Sequence, residues 1–96
     1  MSYAVLWASA GEILVGCLDA GIDGFTLGGC AAERSVRFAD IESASIERAA
    51  GDRLRGLPVL VLRGRARPDI RIASLDRPGT LQELAQRAFG GITLAR

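Results

Sequence analysis

The hydrophobic pattern of this chain changes its period near residue 75, and this change constrains the fold more than any other feature of the sequence. Before it, short apolar runs with a two-residue alternation are separated by turn residues, which is typical of β-strands. We predict strands over residues 3–8, 13–18, 22–27, 35–38, 41–48, 57–63 and 69–74. About seven short strands in so short a stretch indicate a closed or nearly closed barrel, or a sandwich.

Beyond this point the apolar residues follow a helical period. They recur at intervals of three and four residues and share one face of a predicted helix: Leu81, Leu84, Ala85, Ala88 and Phe89. Thr80 and Glu83 form a capping-box pattern at the start, and Gly90-Gly91 supplies a stop. We therefore predict one helix over residues 80–89 that packs against the strands.

The length and composition indicate a single domain. The chain has 96 residues, of which 49% are hydrophobic and 24% charged, as in an ordinary globular protein. We predict one domain spanning residues 1–96. Twelve basic and eleven acidic residues leave a net charge of +1, so no overall field would steer the chain onto nucleic acid, and no nucleic-acid partner is predicted.

The residues that enzymes and metal sites use are missing from the sequence or scattered in it. The chain has no His, and its two cysteines, Cys17 and Cys30, form no CxxC pair. A serine nucleophile has no histidine base, and no pair of carboxylates stands out for acid–base work. The glycine-rich stretches match neither a Walker loop nor a dinucleotide motif. We predict a non-enzymatic protein with no catalytic residues, no cofactor and no metal.

Hydropathy and cysteine usage predict the cellular setting. Glu12, Asp19 and Asp23 interrupt the hydrophobic N-terminal third, so no apolar run approaches the length that spans a bilayer. We predict a cytoplasmic protein. In that setting Cys17 and Cys30 should be reduced and buried as small hydrophobic residues, with a disulfide as the less favoured alternative.

A cluster of basic residues is the candidate binding site. Six of the twelve arginines fall close together: Arg53, Arg55, Arg63, Arg65, Arg67 and Arg71. On a strand–turn–strand hairpin the alternation places Arg63, Arg65 and Arg67 on one side, with Arg71 further along the same face as Arg67. Guanidinium groups so placed can grip a phosphate or a carboxylate. The alternative is a solvated hairpin whose charge is offset by Asp52, Asp69 and Asp76.

Several predicted strands carry apolar residues on both faces. In the sixth strand the predicted inward set is Leu57, Val59 and Val61, and the predicted outward set is Pro58, Leu60 and Leu62. A small barrel buries only one face of each strand, and large exposed apolar patches are unusual on monomers. We therefore predict a homo-oligomer that associates through outward residues of the first and sixth strands: Ala4, Leu6, Ala8, Leu60 and Leu62.

Five stretches carry a resemblance to a known family: Gly24-Phe25-Thr26-Leu27, Val36-Arg37-Phe38-Ala39-Asp40-Ile41, Val59-Leu60-Val61-Leu62, Ile70-Arg71-Ile72, and Asp76 leading into the helix. Their order resembles the pleckstrin-homology (PH) superfold and its small bacterial PH-like and GRAM-like relatives. The resemblance covers nearly the whole chain. It implies a mainly β, bent antiparallel barrel of about seven strands closed by one C-terminal α-helix.

Two features depart from eukaryotic PH domains. Their closing helix carries a Trp, whereas this helix offers Phe89 and the only Trp is Trp7 in the first strand. Their phosphoinositide site uses basic residues of the first hairpin loop, but the first two loops here, around Glu12 and Asp19, are acidic and contain no Arg. The resemblance therefore implies a binding module without an inositol phosphate site at the usual position.

The sequence thus predicts a non-enzymatic binding or scaffolding module that contacts a protein partner and self-associates. The alternative is a peripheral module that binds an anionic lipid or a phosphate ligand through the region from Arg53 to Arg71. A small enzyme that uses only Arg, Asp and Glu is the least favoured of the three classes.

Overall fold

The fold is mainly β. The computed structural model describes residues 2–9, 12–29, 33–51, 53–64, 68–76, 80–89 and 94–95, and of residues 2, 80, 84, 87–89 and 94–95 it describes the backbone alone. The strands are β1 (Ser2–Ser9), β2 (Glu12–Ala20), β3 (Gly24–Gly28), β4 (Glu33–Arg37), β5 (Ile41–Glu47), β6 (Val59–Gly64), β7 (Ile70–Ser74) and β8 (Leu94–Ala95). A short 3-10 helix, Phe38–Asp40, links β4 to β5, and one α-helix, α1 (Thr80–Phe89), lies between β7 and β8.

The strands form one curled sheet in the order β4-β3-β2-β1-β7-β6-β5-β8. All pairings among the first seven strands are antiparallel, and the two-residue β8 runs parallel to β5. In the described part of the chain β4 and β8 are the edges of this sheet, so it forms a half-barrel. The prediction of a mainly β fold with seven antiparallel strands is confirmed at this level.

The predicted strand bounds differ from the observed ones mainly at turns. Ile22, predicted to begin the third strand, lies in the preceding turn, where the Gly21 N–H donates to the Gly24 carbonyl at 2.8 Å. The fourth strand ends at Arg37, because Phe38 begins the 3-10 helix. The prediction does not include β8, since two residues show no recognisable period.

The concave side of the sheet holds the main core. Alternate residues of each strand face it, as the two-residue period of a strand requires. The buried members are Val5, Trp7, Leu18, Phe25, Leu27, Val36, Ala44, Leu60, Leu62, Ile70, Ile72, Leu81 and Ala85. Two of these, Leu81 and Ala85, belong to α1, which has the predicted bounds and packs against β6 and β7. The side chains of Leu84, Ala88 and Phe89 lie outside the described part of the structure.

A second buried cluster lies on the convex side. It consists of Leu6 and Ala8 of β1, Val59 and Val61 of β6, and Ala73 of β7. Leu54 and Leu57 cover it from residues 53–58, which we call the flap. The two leucines exchange backbone hydrogen bonds of 3.1 and 2.9 Å, which fold the flap into a tight turn.

This second cluster overturns the predicted facing of the sixth strand. Leu60 and Leu62, predicted to point outward, are 0% and 2% exposed in the main core, whereas Val59 and Val61 lie on the convex side beneath the flap. Leu6 and Ala8, also predicted to be outward and exposed, are buried in the same cluster. Of the five residues predicted to form the oligomer contact, Ala4 alone is exposed. The alternation identifies residues that share a face, but it does not say which face is concave.

Two glycines allow the sheet to curl at the ends of β3. A Cβ at Gly16 would overlap the carbonyl oxygen of Gly28 on the neighbouring strand, and a Cβ at Gly24 would overlap that of Val36. A glycine inside a strand is typical of such a close backbone approach. The curl that brings β3 and β4 over the concave core therefore depends on these positions having no side chain.

Candidate functional site

The structure divides the predicted arginine cluster among different surroundings. Arg53 is bound to the backbone of its own loop: its Nε donates to the Arg48 carbonyl at 2.8 Å, and its Nη1 donates to the Gly56 carbonyl at 3.5 Å. The Arg48 acceptor precedes the turn that carries Leu54 and Leu57, and the Gly56 acceptor lies within it. Arg53 therefore holds the flap in place, a structural role that the sequence prediction did not assign to it.

Arg63 joins a polar network on the convex side of β5 and β6. Its Nη1 donates to Ser45 Oγ at 2.9 Å, and its Nε lies 3.7 Å from Oδ2 of Asp69. Ser45, which is buried, donates in turn to Oε1 of Glu47 at 2.9 Å. The charge of Arg63 is thus offset within the chain, partly by the aspartate that the solvated-hairpin alternative named.

The remaining arginines differ in what the structure describes. Arg55 is exposed at the tip of the flap, with a left-handed φ of 50°. Arg71 is half-buried on β7, in register with Val61 on one side and Ala8 on the other, and so lies on the same convex face as Arg63. Arg65 and Arg67 lie outside the described residues. Of the predicted cluster, the structure therefore places Arg63 and Arg71 together and leaves Arg53 and Arg55 on the flap.

An apolar patch lies on the convex side of β2, beside the flap-covered cluster. Ile13 is 43% exposed and Val15 61% exposed, and Cys17, which follows on the same face, is also exposed. In the β1–β2 register Cys17 lies beside Ala4, which is exposed. The backbone carbonyl of Ala4 accepts a hydrogen bond from the N–H of Leu75, and Leu75 is 42% exposed. We call these five residues the convex patch: Ala4, Ile13, Val15, Cys17 and Leu75.

The convex patch exists because the flap covers only part of the convex face. Leu14 and Leu18 of β2 face the core, which leaves Val15 and Cys17 on the solvent side of the strand. Cys17 is a free thiol, as predicted, but its predicted burial is wrong, because it occupies the solvent side of the strand. Cys30 lies outside the described residues. The apolar character of both faces of β2 was the sequence signal for this patch.

The described residues contain few other features that could bind a ligand or a metal ion. A shallow groove at the β2–β3 turn is lined in part by Asp19, Asp23, Thr26, Ser35 and Arg37. No group of three or more His, Cys, Asp or Glu that could hold a metal ion occurs among the described residues. None of the described helices is long and apolar enough to cross a membrane. The search for similar proteins found no matching family model, no matching curated protein and no matching solved structure.

Proposed function

We propose that this chain is a non-enzymatic protein-interaction module that self-associates through the convex patch. The observation that carries the proposal is the exposed row of Ile13, Val15 and Cys17 on β2, a strand in the interior of the sheet. Contiguous apolar surface of this kind marks interaction sites on soluble proteins. Its removal from water would supply the driving force for association.

The charges at the two ends of the row favour a second copy of the chain as the partner that covers the convex patch. Asp19 continues the row beyond Cys17, and Arg71 lies at the opposite end, in register with Ala8 and through it with Ile13. A two-fold axis through the row would set the Asp19 end of one copy against the Arg71 end of the other. Such an isologous arrangement is the commonest in soluble oligomers. The net charge of +1 leaves little repulsion between copies.

The molecule is large enough for such a contact. Its principal extents are 32 × 29 × 26 Å, so one face is comparable to the area that each partner contributes to a specific interface, about 600 Å² or more. The convex patch would form the dry centre, and the polar residues around it would form the rim.

A PH-like architecture and a cytoplasmic location belong to the same proposal. The strand order β4-β3-β2-β1-β7-β6-β5, followed by a helix whose Leu81 and Ala85 lie in the main core, supports a bent barrel closed at one end by that helix. The exposed free thiol of Cys17 fits a reducing compartment.

Light scattering over a range of concentrations tests the self-association. We expect a mass above that of the 10.1 kDa monomer, and we expect Val15→Asp to return the chain to a folded monomer. The matched control is Ile22→Asp, which places the same charge at a fully exposed aliphatic residue of the β2–β3 turn and should leave the mass unchanged. A monomer mass for the natural sequence at every concentration would contradict the proposal.

An anionic partner is the second candidate, and Arg55 and Arg71 favour it. Neither side chain has a described polar contact, so both are available on the convex side, in contrast to Arg53 and Arg63. Vesicles containing anionic lipid should then bind the chain at low salt and release it at high salt. Arg55→Gln with Arg71→Gln should abolish that binding, and indifference of the natural chain to anionic vesicles at low salt would rule the lipid partner out.

A further inference from the structure

Three hydrogen-bond donors from two distant strands share the concave face of the half-barrel. Trp7 and Ser9 alternate with Val5 on the inward side of β1, and Arg34 alternates with the buried Val36 on β4. Arg34 Nη1 donates to Ser9 Oγ at 2.7 Å. Because β3 and β2 separate these two strands in the sheet, the contact crosses the inside of the curl.

Two of the three donors have no described acceptor. Trp7 is 3% exposed, and its Nε1–H has no hydrogen-bond partner among the described residues. Ser9 uses its oxygen to accept from Arg34, so its own hydroxyl hydrogen remains available to donate. A buried donor without an acceptor is costly, and such groups in a native structure call for a water, an ion or a ligand.

The charge at this place is also incompletely compensated. Arg34 is half-buried, and its described polar contact is with the neutral Ser9 rather than with a carboxylate. Glu12 lies opposite Ser9 in the β1–β2 register, but it is exposed and forms no described ion pair with Arg34. A guanidinium, a hydroxyl and an indole N–H therefore lie on the same face, and the one hydrogen bond described for these donors is that from Arg34 to Ser9 Oγ.

We propose that this donor cluster binds a carboxylate carried by a small apolar molecule. One carboxylate oxygen would accept from Arg34, in a charge-assisted hydrogen bond, and the other would accept from both Ser9 and Trp7. The neighbouring residues of the face, Leu14 beside Trp7 and Leu27 beside Arg34, suit an apolar body. A phosphate dianion fits less well, because the site has one guanidinium and Glu12 adds a negative charge on the same side.

The indole of Trp7 gives a direct readout, because it is the only tryptophan of the chain. In a ¹⁵N-labelled sample its N–H produces one resolved signal in the indole region. We expect sodium butyrate to shift this signal saturably, with a Kd on the order of 1 mM for so few polar contacts. Sodium chloride and phosphate at equal ionic strength should shift it far less. An indole signal that ignores butyrate would overturn the proposal and leave a buried water only as the acceptor.

Two variants separate a bound carboxylate from a general salt effect. Arg34→Met keeps an unbranched apolar stem and removes the guanidinium, so it should weaken butyrate binding at least tenfold. The matched control, Arg37→Met, removes an exposed guanidinium from the same strand and should bind butyrate as the natural chain does. If Arg34→Met does not fold, Ser9→Ala with the same titration replaces it. Equal binding by the natural chain and the variant that removes a donor would contradict the proposal.

Discussion

Arg34 and Ser9 form a 2.7 Å hydrogen bond although they are 25 positions apart and two strands of the sheet lie between them. The contact links the edge strand β4 to the end of β1 across the concave side. Its acceptor is buried and its donor is half-buried, so both groups have lost part of their contact with water. The bond therefore connects β4 with β1, two strands that no backbone ladder joins directly, and so stabilises the curl of the sheet.

Removal of this contact should lower the stability of the fold. We expect Arg34→Ala to reduce the free energy of unfolding by about 1 kcal/mol, since a partly exposed charged donor contributes less than a buried one. Arg37→Ala on the same strand should change it by less than about 0.5 kcal/mol. Urea denaturation measures both, and a double-mutant cycle with Ser9→Ala isolates the pair. Equal losses for the two arginine variants would show that the contact contributes nothing.

The flap should contribute to stability through Leu54. This side chain is 1% exposed and covers Leu6, Ala8 and Val61, so Leu54→Ala should cost about 2–4 kcal/mol, by loss of apolar contact and creation of a cavity. Ile22→Ala removes a similar side chain that is 96% exposed and should cost less than about 0.5 kcal/mol. Thermal unfolding of the two variants gives the comparison. A loss for Leu54→Ala no larger than that of the control would mean that the flap does not cover the cluster.

The close approach of β2 and β3 predicts that Gly16 tolerates no side chain. In Gly16→Ala the new methyl group would overlap the Gly28 carbonyl oxygen, which belongs to a hydrogen-bonded strand and cannot move freely. We expect a loss of about 3 kcal/mol or a failure to fold. Gly51→Ala meets no atom within 4 Å and should be neutral or stabilising by about 0.5 kcal/mol. Similar melting temperatures for the two variants would contradict the observed approach of the strands.

The proposed two-fold contact predicts a charge-reversal experiment. Asp19→Arg should weaken the dimer because it would set two positive groups against each other, and Arg71→Asp should weaken it by setting two negative groups together. The double variant restores opposite charges at both ends and should recover a substantial part of the affinity. Sedimentation equilibrium measures the dissociation constants of the natural chain and of the three variants. A double variant weaker than either single one would exclude this orientation of the copies.

Local patterning in the sequence was sufficient to predict the seven antiparallel strands and the α-helix. The short apolar run around Val5 and Trp7, and the helical spacing of Leu81 and Ala85, predict a strand and a helix where the structure has them. These patterns succeed because the period and the length of an apolar stretch depend on residues that are close together in the sequence. The bounds failed at Ile22 and Phe38, where turn hydrogen bonds outweigh the apolar character of the residue.

The candidate site was less accessible from the sequence. The cluster of arginines between Arg53 and Arg71 can be read from the sequence. Whether a guanidinium is free depends on acceptors such as the Arg48 carbonyl and Asp69, and only the folded structure places these acceptors beside the arginines. The donors Trp7, Ser9 and Arg34 carry no shared motif. Nothing in their spacing along the chain indicates that they meet.

The sequence by itself determined the mainly β character, the strand alternation and the position of the helix, because these follow from interactions between near neighbours in the chain. Only the tertiary structure decided which face of each strand lies on the concave side of the sheet. This choice placed Leu60 in the main core and Val15 in solvent. That choice depends on the curl of the whole sheet, on the flap that folds back over β1, β6 and β7, and on contacts such as Arg34 with Ser9. A pattern of period two is symmetric with respect to the two faces of a strand, and long-range packing is the physical interaction that breaks this symmetry.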